Sequence, residues 1–333
     1  MNTEHIVFLA VAAGTFLLTV IFSRIIIPKL ISLKMGQKIL EIGPRWHKNK
    51  EGTPTMGGLA FIFAIAAVTL IVVPLLLYKD YGWDDLLPWL LTLGLAVLSG
   101  AIGLIDDRVK IMKKQNAGLT ASQKFLCQLL CAGLYLLAMS LTGNISTELY
   151  IPFIKITVDL GILYYVLSLI LITGVVNSVN LTDGIDGLAS SETFVAGAFF
   201  ALCAFAVGSL SAVIGSAAAV GAALGFLIYN FYPARVFMGD TGSLFFGGLL
   251  VGLAYTLENP LIILCFGCMF IAETLSVMLQ VTFFKLTKKR IFKMSPIHHH
   301  FEMCGWKETK IVGIFCLIAL IFSSISFILE YII

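Results

Sequence analysis

The chain predicts an all-α polytopic membrane protein with about ten transmembrane helices, one short external β-hairpin and a cytoplasmic active site. Three observations carry this. Of 333 residues, 59% are apolar and only 12% charged, where an ordinary globular domain carries about 25% charged residues. Mean hydropathy is +0.98. Apolar runs of roughly the 20 residues that a spanning helix needs recur along the whole sequence. This composition excludes a soluble globular or disordered chain, and nothing in it suggests a nucleic-acid-binding surface.

The runs fall at about 5–27, 56–78, 87–105, 122–142, 158–176, 188–208, 210–229, 243–257, 260–284 and 311–332. The small stretch GSLS separates the sixth from the seventh. Glu258-Asn259-Pro260 separates the eighth from the ninth, and proline is suited to opening a helix. The eighth run is short, so it is tilted or shared with its flanks. The ninth extends to about residue 286 and carries Glu273 and Gln280. Between the fourth and fifth runs, TELYIPF and IKITVDL alternate β-branched and aromatic residues, the pattern of a hairpin. The start, MNTEHIVFLA, has no basic segment before its apolar run, so no cleaved signal peptide is expected. The chain reads as one integral membrane domain over 1–333. Six of the seven cysteines lie in apolar segments, Cys265 and Cys268 among them. They behave there as small hydrophobes rather than as a redox or zinc pair.

An even number of spans puts both termini on one side, and the lysine and arginine bias sets which side. Loops after odd-numbered runs hold Lys29, Lys34, Lys38, Arg45, Lys48 and Lys50, then Arg108, Lys110, Lys113 and Lys114, then seven more from Lys285 to Lys310. Arg235 joins them, and the opposite loops hold only Lys79 and Lys155. Both termini are therefore external and the basic loops cytoplasmic.

Five polar clusters fall on that cytoplasmic side, all at helix ends: HKNKEGTPTMGG (47–58), GLIDDRVK (103–110), NSVNLTDGIDGLA (177–189), NFYPARVFMGDTGSL (230–244) and SPIHHHFE (295–302). Asp106 and Asp107 close an apolar helix, where a charge is costly and marks function or the water interface. Asn177, Asn180, Asp183 and Asp186 recur every third residue. On an α-helix they drift by about 60° per step, and on a 3₁₀ turn they align. Asp240 precedes a helix start with Thr241 and Ser243 as N-cap candidates. A helix N-terminus favours phosphate, and a carboxylate beside it favours Mg²⁺. His47, Lys48, Lys50, Lys113, Lys114 and Lys124 are cations whose simplest role is topological. Three consecutive histidines beside Pro296 and Glu302 fit an anion site. Carboxylates, glycines, lysines and histidines together suit a diphosphate held with Mg²⁺, and the membrane setting suits a lipid-borne second substrate.

In these motifs the chain resembles the polyprenyl-phosphate hexose-1-phosphate transferases. GTPTMGG, the DD after the third run, NLTDGIDGLA, FMGDTGSL and PIHHHFE stand in that family's order between about residues 45 and 305. GTPTMGG with PIHHHFE points to the branch using UDP-MurNAc-pentapeptide rather than to relatives that transfer N-acetylglucosamine-1-phosphate. ILEIGPRWHKNKEG departs from the family's REDGPQSHxxKxG pattern, which leaves Arg45 and Trp46 without a role. The resemblance implies transfer of phospho-MurNAc-pentapeptide to undecaprenyl phosphate with release of UMP, at the bacterial inner membrane, by a homodimer. It implies Asp106, Asp107, Asp240 and His298 as the catalytic set, with Asp240 on Mg²⁺ and the aspartate pair facing the lipid phosphate. Lys50, Thr55, Asn177, Asn180, Asp183, Asp186 and Ser243 would shape the nucleotide and diphosphate pocket. Asn230 and Phe237 would contact uracil, and Lys124, His298, His299 and His300 the diphosphate or sugar. It also implies a bent ninth helix lining a prenyl groove, although the residues alone fit a long tilted helix equally well. Direct in-line attack by the lipid phosphate is the favoured route, because a phosphate monoester is already largely dianionic at neutral pH, and a covalent intermediate on Asp107 is the runner-up. A secondary transporter is the non-enzyme alternative; it would place its polar site near the bilayer midplane, whereas the polar clusters here sit at one face.

Overall fold

The computed structural model describes residues 3–33, 50, 52–113 and 118–333. Arg45, Trp46, His47, Lys48 and Lys114 lie outside the described residues.

The polypeptide forms a helical bundle. Its elements are α1 (Thr3–Ser32), α2 (Leu59–Tyr78), α3 (Trp83–Lys113), α4 (Ala121–Leu141), β1 (Glu148–Ile151), β2 (Ile156–Asp159), α5 (Ile162–Thr182), α6 (Leu188–Val207), α7 (Leu210–Asn230) and α8 (Gly239–Thr256). A 3₁₀ turn, Pro260–Ile262, then leads to α9 (Ile263–Phe266), α10 (Cys268–Thr287), α11 (Ile297–Met303) and α12 (Glu308–Tyr331). Among the described residues, nine helices are long and apolar enough to cross a membrane: α1 to α7, α10 and α12.

The remaining expected span is α8, and it differs in kind. Its 18 residues open on the polar Gly-Asp-Thr-Gly-Ser and span about 27 Å at 1.5 Å per residue. Every residue from Thr241 to Thr256 is buried. It is the central post of the bundle, packed chiefly against α3 and α5. Gly103 makes the α3 contact close, since a Cβ there would lie 2.1 Å from the Asp240 carbonyl oxygen. Near the start of α8, Phe246 stacks on Phe61 of α2 at 4.2 Å, and Phe61 meets Phe226 of α7 edge-on at 5.2 Å. These rings fix α2, α7 and α8 together below the GTPTMGG segment.

The expected junctions are present. Gly208 caps α6 in the left-handed conformation, and the Ser209 hydroxyl accepts the Ala212 N–H at the start of α7. The hairpin pairs antiparallel, Glu148 with Asp159 and Ile151 with Ile156. The ninth run is not one continuous helix. It breaks at Gly267 between α9 and α10, a helix interior being a costly place for glycine. Beyond the break, only 22% of the apolar stretch of α10 is buried. Leu275, Met278, Leu279, Phe283 and Phe284 are exposed on it. All seven cysteines are free.

Candidate active site

The three aspartates meet where α3 crosses the start of α8. Asp107 caps α8. Its carboxylate accepts the Asp240 N–H at 3.2 Å, the Thr241 N–H at 2.9 Å and the Thr241 hydroxyl at 2.7 Å. Neither Thr241 nor Ser243 is the N-cap, contrary to the expectation from sequence. Met238 holds that position without a side-chain bond, and the acceptor comes from another helix. The Ser243 hydroxyl instead donates to the Gly239 carbonyl at 3.0 Å and receives the Asn180 amide at 2.7 Å. Gly239 has φ +70, and a Cβ on it would lie 2.6 Å from Asp107 Oδ2 and 2.7 Å from Thr55 Oγ1. Replacing Asp107 with Ala should lower stability by about 1–2 kcal/mol, the usual value of a lost cap. The melting temperature of the detergent-solubilised protein measures this.

Asp106 accepts the Leu119 N–H at 2.7 Å and lies 2.7 Å from Lys110 Nζ. Asp240 Oδ2 lies 2.9 Å from Lys110 Nζ and 2.7 Å from Lys124 Nζ, and its Oδ1 accepts the Asn180 amide at 2.9 Å. Oxygens of Asp106, Asp107 and Asp240 all fall within 4.8 Å of one another. Burial by itself would raise the Asp240 carboxyl, but Lys124 and Lys110 outweigh it and hold the group well below the usual carboxylate range. A capping box positions Lys124: Thr120 Oγ1 accepts the Gln123 N–H, and Gln123 Oε1 accepts the Thr120 N–H.

The four regularly spaced polar residues separate. Asn177 and Asn180 lie in regular α-helix, so the 3₁₀ alternative does not hold, and α5 ends at Thr182. Asn177 pairs with Gln128 of α4 at 2.7 Å and also donates to the Thr173 carbonyl. It ties two helices together, whereas Asn180 faces Asp240. Burial first, then the charges of Asp240, Asp107 and Asp186, raises Asp183 well above the usual carboxylate range. Asp186 belongs to a second network. Lys50 Nζ lies 2.7 Å from Asp186 and 2.6 Å from Glu308, and Asp186 also accepts the Ala234 N–H at 2.8 Å. This joins the GTPTMGG segment, the DGIDG turn and the start of α12. The GTPTMGG backbone is also zipped to the segment before α8: Phe237 N–H to the Pro54 carbonyl, Gly57 N–H to Phe237 and Gly58 N–H to Met238. Phe237 is half-buried on this ladder. Asn230 is 1% exposed. It accepts the Ser190 hydroxyl and donates to the Val236 carbonyl, so it braces the turn leading to Phe237.

The histidines form a short helix, α11, in which successive side chains diverge by about 100°. The rings of His298 and His299 nonetheless meet edge-on, with centroids 4.1 Å apart, while His300 meets Phe292 and Phe301. His298 is fully buried, with Nδ1 3.0 Å from Glu273 Oε1 of α10 and its ring against Gly184. His299 Nδ1 lies 2.6 Å from Glu302 Oε2. His300 accepts the Lys293 N–H on Nδ1 at 3.1 Å, toward the α10–α11 loop.

The structure thus brings Asp106, Asp107, Asp240, Lys124, Asn180 and Ser243 into one cluster, with Thr55 at its edge. Lys50 and Asp186 form the neighbouring network. Sequence reasoning missed Lys110 as a member, although its spacing four residues after Asp106 on a helix was a readable signal. It also missed Glu308, for which no local signal exists, since its lysine partner lies 258 positions away.

An enclosed post, capped and flanked by carboxylates and lysines at one end of a helical membrane bundle, is the architecture of a membrane-embedded transferase. The sequence model of glycosyl transferase family 4 matches residues 89–258, which include most of α3 and the whole of α4 to α8. The phospho-N-acetylmuramoyl-pentapeptide-transferase signature 1 matches residues 50–62. Proteins named phospho-N-acetylmuramoyl-pentapeptide-transferase are similar over nearly the full length. The one from Halalkalibacterium halodurans is 44% identical over 95% of both chains. That from Staphylococcus carnosus is 44% identical over 92% of this chain and 94% of its own. That from Geobacillus kaustophilus is 42% identical over 98% of both. The chain belongs to the phospho-N-acetylmuramoyl-pentapeptide-transferase family.

Proposed function

We propose that this enzyme transfers phospho-MurNAc-pentapeptide from UDP-MurNAc-pentapeptide to undecaprenyl phosphate, releasing UMP, at the cytoplasmic face of the bacterial inner membrane. The observation that carries the reading is the meeting of Asp106, Asp107 and Asp240 around Lys110, beside Lys124. The excess of basic residues at that end supports the cytoplasmic assignment. The exposed apolar face of α10 beyond its break supports a prenyl-chain path. The homodimer rests on family resemblance alone.

Three close carboxylate oxygens are a donor set that fits Mg²⁺, which takes hard oxygen ligands. Asp240, with Asp106 and Asp107, would hold it. When bound, the ion supplies charge neutralisation at the diphosphate. The protein's own groups do the rest. A phosphate monoester is largely dianionic at neutral pH because its second pKa is about 6, so the acceptor needs no proton removed before it attacks. The obstacle is the approach of one anion to another. Lys110 and Lys124 offset that repulsion, and Asn180, whose amide is also held by Ser243, orients Asp240. An acceptor oxygen bonds to the sugar-side phosphorus as the bond to UMP breaks, and UMP leaves with the electron pair.

Direct attack is favoured over a covalent aspartyl intermediate. Both Asp107 oxygens accept hydrogen bonds that hold α8, which leaves the carboxylate poorly disposed as a nucleophile. Exchange of labelled UMP into UDP-MurNAc-pentapeptide without lipid acceptor would reverse this choice.

The principal test is UMP release by the purified protein with undecaprenyl phosphate and Mg²⁺. Turnover is expected with UDP-MurNAc-pentapeptide and not with UDP-GlcNAc. The opposite preference would move the enzyme to the N-acetylglucosamine branch. Chelation with EDTA is expected to stop release and Mg²⁺ to restore it, with little change in melting temperature.

A further inference from the structure

Glu308 stands in the first turn of α12, where a carboxylate suits the positive end of the helix. Ile311, Val312 and Phe315 on the following turns are buried, and α12 packs on α6, so this side chain starts from a fixed base. Glu308 itself is 7% exposed. A single oxygen, Oε2, accepts the Asp186 N–H at 2.9 Å and Lys50 Nζ at 2.6 Å.

Those two donors come from different segments of the site. Asp186 lies in the short connection between α5 and α6, which also carries Asp183. A buried N–H needs an acceptor, and for Asp186 it is supplied by α12. Lys50 opens the GTPTMGG side. Its carbonyl accepts the Thr53 N–H at 3.1 Å, and the next carbonyl, that of Pro54, accepts the Phe237 N–H at 2.9 Å. Asp186 in turn takes Lys50 on Oδ1 and the Ala234 N–H on Oδ2. One oxygen of Glu308 thus sets how the DGIDG turn stands against the segment that holds Phe237. Its charge is no help to an anionic substrate, because one lysine here faces two carboxylates.

Given the transfer reaction proposed above, we infer that Glu308 is a positioning residue for the sugar nucleotide, acting through Asp186 and Lys50. Reach is what it contributes: an acceptor oxygen placed where both donors meet it. Pockets held by such supporting bonds bind without first ordering their walls.

The test is UMP release by the purified full-length protein at varied UDP-MurNAc-pentapeptide, beside calorimetric titration of that nucleotide without lipid acceptor. The variants are Glu308→Ala, Glu308→Gln and Glu308→Asp. Alanine removes both bonds. Glutamine keeps an oxygen at the same reach without the charge. Aspartate keeps the charge but falls short by one C–C bond, about 1.5 Å. Alanine and aspartate are expected to raise KM and Kd for the nucleotide about tenfold, with kcat within about threefold and KM for undecaprenyl phosphate unchanged. Glutamine is expected to recover most of the loss. Removing a negative charge beside an anionic substrate would by itself tighten binding, so an effect of charge alone has the opposite sign. Unchanged or tighter binding in folded Glu308→Ala, a loss confined to kcat, or equal losses with alanine and glutamine would overturn the proposal. Should Glu308→Ala not fold, the other two variants decide: aspartate weaker than glutamine supports positioning, and the reverse order overturns it. A wild-type protein that binds no UDP-MurNAc-pentapeptide would remove the transferase reading, and this role with it.

Discussion

Replacing Asp240 with Asn is expected to lower turnover about a thousandfold, the upper range for losing one preorganised electrostatic group. Asp240 Oδ2 is shared by Lys110 and Lys124 at 2.9 and 2.7 Å, and Oδ1 receives Asn180. An amide has the same shape without the charge. It would leave two ammonium groups facing each other and remove a ligand from the Mg²⁺ set. Water screens the lost Lys110 pair, since Lys110 is 31% exposed, but Lys124 and Asp240 are 16% and 17% exposed, so stability should also fall, by about 1–3 kcal/mol. UMP release measured beside the melting temperature separates the two effects. Near-normal turnover in a folded Asp240→Asn protein would remove Asp240 from the proposed metal set.

The largest expected change in stability is at Glu273. It is fully buried in α10, as is His298, and the two side chains are 3.0 Å apart. Glu273 Oε2 also accepts the His298 backbone N–H at 3.4 Å. Truncation to Ala leaves the imidazole without its partner in a dry interior, a change that costs roughly 3–5 kcal/mol for a buried pair. Glu273→Gln retains an acceptor and should cost less. The Glu273→Ala, His298→Ala double variant should fall short of the sum of the single losses, as coupled neighbours do. Additive shifts in thermal or denaturant unfolding would show that the pair does not act as a unit.

The chain announces its helices and the end of the bundle where its chemistry gathers, because both follow from local patterns. Apolar runs, the Gly208-Ser209 junction and the hairpin alternation each depend on a few neighbouring residues. The partners do not. Asp107 caps a helix that begins 132 positions later in the chain, so the sequence points to Thr241 and Ser243, which are good caps that the fold uses otherwise. Asn177 and Asn180 look equivalent at period three, yet one faces α4 and the other faces α8. Three adjacent histidines suggest one site, but only His298 and His299 stay together, ring against ring with Glu273 and Glu302 as partners, while His300 faces the α10–α11 loop. The break in the ninth run was half-legible. Pro260 marks its start, while Gly267 separates α9 from α10 inside a run that hydropathy reads as continuous.

The enclosure of α8 has a consequence for biogenesis. A segment opening on Gly-Asp-Thr-Gly-Ser, with an ionised Asp240, gains little from entering lipid alone, since a membrane charge without a partner is expensive. Its partners Asp107, Lys110, Lys124 and Asn180 all precede it in the chain and leave the ribosome first. The segment therefore meets a prepared receptacle rather than bare bilayer, and its docking completes the carboxylate cluster. Assembly of the bundle and creation of the reactive centre are then one event, and a half-inserted chain carries no partial activity to be misdirected.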